Sequence, residues 1–113
     1  MLLTVARPIL STTLSGYPEI LKCNQKPVPP VNWTFRALPD SEPQHIVTDG
    51  LVVSDFAEKF GIHGCSLIIY KVQPTDFGTY DCCDANRDVF TYNISVIGEE
   101  LITVFLRKSR LVQ

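Results

Sequence analysis

No apolar run in this 113-residue chain reaches the roughly 20 residues that a bilayer-crossing helix needs. Positive charge is not in excess either: Lys plus Arg number 10 against 12 for Asp plus Glu, a formal net charge of -2. A nucleic-acid binder carries a basic stripe and a high pI, so no nucleic-acid partner is expected. Catalytic signatures are absent: there is no Gly-x-Ser-x-Gly, no His-Glu-x-x-His and no glycine loop that would cradle phosphate. His45 and His63 lack a Ser, Cys or Asp motif around them, and a nucleophile or base without an activating partner does little chemistry. Neither catalysis, a small-molecule substrate nor a cofactor is therefore expected. A metal site is not expected either. Cys82-Cys83 are vicinal and lack the usual gap between zinc ligands, and Asp81, Asp84 and Asp88 follow no calcium-loop pattern.

What is present is the punctuation of an all-β protein. Short apolar and β-branched runs cover residues 2–10, 20–23, 32–38, 65–72, 79–83, 89–97 and 101–106, with Pro, Gly, Asn and Asp clusters between them. Helical spacing is not sustained anywhere; only 53–60 has a faint helical look. Apolar residues make up 45% of the chain, enough for the core of one domain. Many short strands with frequent turns predict a sandwich or a barrel.

Parity within those runs gives a core. Leu67 and Ile69 share a face with Cys65, and Val72 rejoins them after a bend. Trp33 and Phe35 face one way, Thr34 and Arg36 the other; Tyr80 and Cys82 are separated in the same way from Asp81 and Cys83. Such alternation is what one buried sheet surface requires.

Cys23, Trp33 and Cys82, with the stretch Asp76-Phe77-Gly78-Thr79-Tyr80-Asp81-Cys82, make the chain resemble a variable-type (V-set) immunoglobulin-like domain. Residues 66–82 resemble strand E, the EF turn and strand F of that family, Glu58-Lys59-Phe60-Gly61 the start of strand D, and Tyr92-Asn93-Ile94-Ser95-Val96-Ile97 the closing strand G. The resemblance covers residues 3–98. It implies a two-sheet sandwich pinned by an inter-sheet Cys23–Cys82 disulfide against Trp33, with Tyr80 as a tyrosine corner. It also implies an ion pair between Lys59 and Asp76 at the base.

The spare cysteines leave more than one connectivity open. Four cysteines in so short a chain fit an oxidising compartment. The even count favours a second bridge, Cys65–Cys83, although parity turns Cys65 inward and Cys83 outward, so that a bulge near Gly61 and Gly64 would have to re-aim one of them. Two free thiols, with Cys83 able to link two chains, and the swapped pairs Cys23–Cys83 and Cys65–Cys82 are the alternatives. Glu19 is a second irregularity. Parity with Leu21 and Cys23 turns it inward, unless Pro18 starts the strand irregularly or the carboxylate reaches water at the sheet edge.

The termini and the surface complete the reading. Met1-Leu2-Leu3 has no basic region before it, and Arg7-Pro8 interrupts the apolar stretch, so a mature domain without its leader is expected. Residues 99–113 lie beyond strand G and are expected to be a linker, an extra edge strand or the start of a following domain. Two sequons for N-linked glycan, Asn32-Trp33-Thr34 and Asn93-Ile94-Ser95, point outward from strands C and G. Arg36, Asp84, Arg87 and Asp88 are the candidate interface residues, with the 86–88 turn at the tip where receptor loops cluster. The resemblance implies the ectodomain of a single-pass membrane protein that recognises or adheres to another protein, including a second copy of itself. The extra cysteines and the missing strand-G glycine bulge are similar to invertebrate self-recognition receptors. A secreted binder or decoy, and a structural stalk module, are the competing readings.

Overall fold

Alternation sorts the chain into two layers. In the computed structural model, which describes residues 8–98, nine strands form: β1 (Ile9–Leu14), β2 (Glu19–Leu21), β3 (Asn32–Arg36), β4 (Gln44–Thr48), β5 (Leu51–Val52), β6 (Phe60–His63), β7 (Ser66–Ile69), β8 (Gly78–Cys83) and β9 (Val89–Ile97). One sheet has the order β1-β9-β8-β3-β4-β5 and the other β2-β7-β6. Only β1 and β9 run parallel; the other paired strands are antiparallel. This is an immunoglobulin-like two-sheet sandwich, with the β4–β5 hairpin extending the larger sheet.

The residues that parity turns inward fill the space between the sheets. Trp33, Leu67, Ile69 and Tyr80 are all fully buried. Cys23 and Cys82 are bonded with their Cα atoms 5.7 Å apart, across a sequence separation of 59. Closing a loop of that length removes unfolded-state entropy worth about 4 kcal/mol on the chain-entropy model. Trp33 lies on the larger sheet, and its indole N–H donates to the carbonyl of Cys65 at the start of the smaller one, 3.0 Å away. A buried ring nitrogen is thereby satisfied, as burial demands.

Three strands escape the apolar-run reading. In β4 the ladder is bulged: Trp33 pairs with Val47 and Thr34 with His45, so Ile46 is the extra residue. Ile46 and Val47 are consecutive yet both buried, which breaks the alternation that marks a strand. β5 has only two residues, and β6 carries Gly61 in its middle. The faint helical look of 53–60 becomes a 3-10 turn at Ser54–Phe56. Among the described residues, the end of the 2–10 run falls in β1, Ile9–Leu14. The expected segment 99–113 and the beginning of the 2–10 run lie outside the described residues.

At the base of the sandwich, Tyr80 and Lys59 converge on Asp76. The Tyr80 hydroxyl donates to the Asp76 carbonyl at 2.7 Å, and the Lys59 ammonium stands 2.6 Å from the Asp76 carboxylate. The same carboxylate accepts the N–H of Gln73 at 2.7 Å, closing a capping box over the 3-10 turn Pro74–Asp76. Gly78 follows with φ +142°, and a Cβ there would come within 2.5 Å of the Arg36 carbonyl oxygen. That close approach of β8 to β3 is why the turn takes glycine.

Glu19 opens β2, where it pairs with Ile69 of β7. It is half-buried, and burial raises its carboxyl above the ordinary carboxylate range. Tyr92 on β9 feels the charge of Glu19, and its own hydroxyl donates to the Lys22 carbonyl at 2.8 Å.

Candidate functional site

The loops at the far end from Asp76 are organised by one carboxylate. Continuing the parity of Tyr80 and Cys82, the chain turns Cys83 outward and Asp84 inward, and Asp84 is only 4% exposed. Its Oδ1 accepts the N–H groups of Asn86 at 2.9 Å and Asp88 at 3.2 Å. Its Oδ2 accepts the N–H of Val28, 56 residues earlier, at 3.3 Å. Backbone bonds reinforce this clamp: Ala85 N–H to Val28 O at 2.8 Å, Arg87 N–H to Asp84 O at 3.0 Å and Asp84 N–H to Asp88 O at 3.2 Å. Three N–H donors supply the polar contacts that a buried carboxylate requires. The loop 22–31 and the turn 84–88 are thus one body.

The clamp sets what the tip presents. Arg87 has φ +65°, a left-handed conformation that costs a non-glycine residue about 1 kcal/mol, and the bonds to Asp84 on both sides of it hold that shape. Ala85, Asn86, Arg87 and Asp88 are exposed, as are Gln25, Lys26 and Val28 on the facing loop. A positive and a negative side chain therefore stand next to each other on a rigid, exposed turn. Beside it, Lys22, Asn24, Gln25, Phe90 and Tyr92 line a hollow of about 320 Å³. Tyr92 keeps its proton above the usual tyrosine range, chiefly through burial.

The four candidate interface residues do not form one surface. Arg87 and Asp88 are at the tip. Asp84 lies beneath them as their support, because parity and three N–H donors draw it inward. Arg36 is at the other end of β3, opposite Thr79, with its guanidinium donating to the Pro39 carbonyl at 3.4 Å. Sequence reasoning placed Asp84 on the surface by residue type; the parity of β8 carried the signal for its burial.

The expected Cys65–Cys83 bridge does not form. Both cysteines are free and half-buried. Cys65 immediately precedes β7 in the smaller sheet, where it packs against the core, while Cys83 stands on the outer face of the larger sheet. Parity alone separates them, and no bulge re-aims either one. Among the described residues no three His, Cys, Asp or Glu side chains gather into a group that would hold a metal.

Both sequon asparagines stand on the outer face of the larger sheet, half-buried. Asn32 Oδ1 accepts the N–H of Asp49 at 2.9 Å, and Asn93 Oδ1 accepts the Thr79 hydroxyl at 3.0 Å. The chain matches no protein-family model and no curated protein.

Proposed function

We propose that this domain is an extracellular recognition module that binds protein, a second copy of itself, through the tip formed by residues 22–31 and 84–88. The single observation that carries the reading is the buried Asp84 carboxylate joining two loops distant in sequence. A loop held in one shape before binding loses little conformational entropy on contact, which is where affinity is most often lost. Loops positioned by a rigid sandwich are also where binding residues concentrate.

Self-recognition follows from the charges. Arg87 and Asp88 are adjacent, exposed and opposite in sign. A two-fold contact would set Arg87 of each copy against Asp88 of the other, since an isologous interface must be self-complementary. The buried Cys23–Cys82 bridge fits a domain exported to an oxidising compartment, where such a bond persists. The test is self-association of the full chain in sedimentation, with Arg87→Glu and Asp88→Arg abolishing it singly and restoring it when mixed.

A further inference from the structure

We propose that Asn93 carries an N-linked oligosaccharide whose first sugar lies across Leu10. The proposal goes beyond recognition at the tip but rests on the same extracellular reading.

Three observations meet at this position. Asn93 belongs to the sequon Asn93-Ile94-Ser95, and β9 buries Ile94 while turning Asn93 and Ser95 to the outer face. Its amide is already oriented: Oδ1 takes the hydroxyl of Thr79 on β8 at 3.0 Å, which leaves Nδ2 on the branch of the planar amide turned away from β8. On that other side lies β1, and the residue in register with Asn93 is Leu10. Leu10 is 81% exposed, the most exposed of the large apolar side chains described. Neighbouring strands stand about 4.8 Å apart, so the isobutyl group lies where the first sugar of an Asn93 glycan would rest. A pyranose ring has an apolar C–H face that covers such a side chain. An otherwise unexplained exposed leucine beside an outward sequon amide thus has an occupant of definite chemistry.

The second sequon lacks that neighbour. Asn32 pairs with Cys83, and its Oδ1 is tied to the Asp49 N–H at the β4–β5 turn.

The chemistry is a group transfer before folding. Nδ2 of Asn93 attacks C1 of an oligosaccharide carried on a polyprenyl pyrophosphate, with the secretory-pathway transferase as catalyst. An N–C bond forms, the C–O bond to the pyrophosphate breaks, the amide gives up one proton, and the lipid pyrophosphate leaves. Because the acceptor is modified in the unfolded chain, the fold must then leave the sugar outside. An Asn93 on the outer face does so.

The experiment is to direct the full chain through the secretory pathway of cultured animal cells and map its peptides with and without a glycosidase that cleaves N-linked sugar. Asn93 is expected to be occupied, and Ser95→Ala, which leaves Asn93 in place, is expected to remove the modification there. Enzymatic removal of the sugar is expected to lower the melting temperature of the wild type, and this difference is expected to vanish in Leu10→Ala. Secreted protein with an intact Cys23–Cys82 bridge and a bare Asn93 overturns the proposal while leaving recognition at the tip standing. A melting temperature indifferent to the sugar overturns its placement on Leu10. An occupied Asn93 in a chain that never self-associates supports the glycan and overturns the tip reading.

Discussion

The indole N–H of Trp33 donates to the backbone carbonyl of Cys65, joining the centre of one sheet to the turn that opens the other. Trp33 thereby does two jobs, filling the core against the disulfide and satisfying a carbonyl. Trp33→Phe keeps much of the ring but leaves that carbonyl without its donor, and an unmade buried bond costs about 1–3 kcal/mol. Trp33→Ala should cost about 3–5 kcal/mol, adding the cavity. Urea denaturation of both variants should therefore rank them wild type, Phe, Ala, with Trp33→Phe already clearly below wild type.

The spare cysteines lie on opposite sides of the sandwich and stay apart. Cys65 contributes its carbonyl, and its sulfur stays on the side of the smaller sheet, away from Cys83. Non-reducing peptide mapping should find Cys23 joined to Cys82 and two free thiols. Cys83→Ser should change stability by less than about 1 kcal/mol, as for other substitutions away from the core. Loss of the central bridge should cost about 4 kcal/mol.

Asp84 is the support of the tip. Asp84→Ala leaves the N–H groups of Val28, Asn86 and Asp88 without their acceptor and should destabilise the domain by about 2–4 kcal/mol. Hydrogen exchange should accelerate at those three amides, while those of β7 and β8 change only with global stability. Asp84→Asn, which keeps a carbonyl oxygen, should fall between.

Glu19 gives the fold a pH dependence of definite sign. Burial raises its carboxyl in the folded state above the unfolded value, so between the two the native state holds more protons. Its contribution is fully present below the ordinary carboxylate range and is lost as pH rises through the raised value. Glu19→Gln should accordingly stabilise the domain at neutral pH and remove this part of the slope. Tyr80 adds the same sign at alkaline pH: burial, then the charge of Asp76, holds its phenol well above the ordinary tyrosine value. Thermal melts across both ranges check the two slopes.

How much of this was legible depends on how local each signal is. Trp33, Leu67, Ile69 and Tyr80 could be assigned inward because strand parity needs only a few neighbouring residues. The Lys59–Asp76 pair came from a resemblance spanning strands, and the structure places the two groups in contact. β4 was invisible because its bulge buries two consecutive residues, and β5 because two residues make no pattern. Asp84 was misjudged for a physical reason: its burial depends on amides from Val28 and from the turn after it, and a long-range acceptor role leaves no mark on composition. Parity was the one available hint, and residue type outweighed it.

Recognition through the tip is tested most directly by sedimentation of the full chain over a range of concentrations. The wild type should self-associate; Arg87→Glu and Asp88→Arg should each remain monomeric, because each sets like charges against one another across the two-fold. An equimolar mixture of the two variants should associate again, since the opposite signs are then restored at both contacts. A wild type that stays monomeric at every concentration, or an Arg87→Glu variant that associates as well as the wild type, would contradict the account.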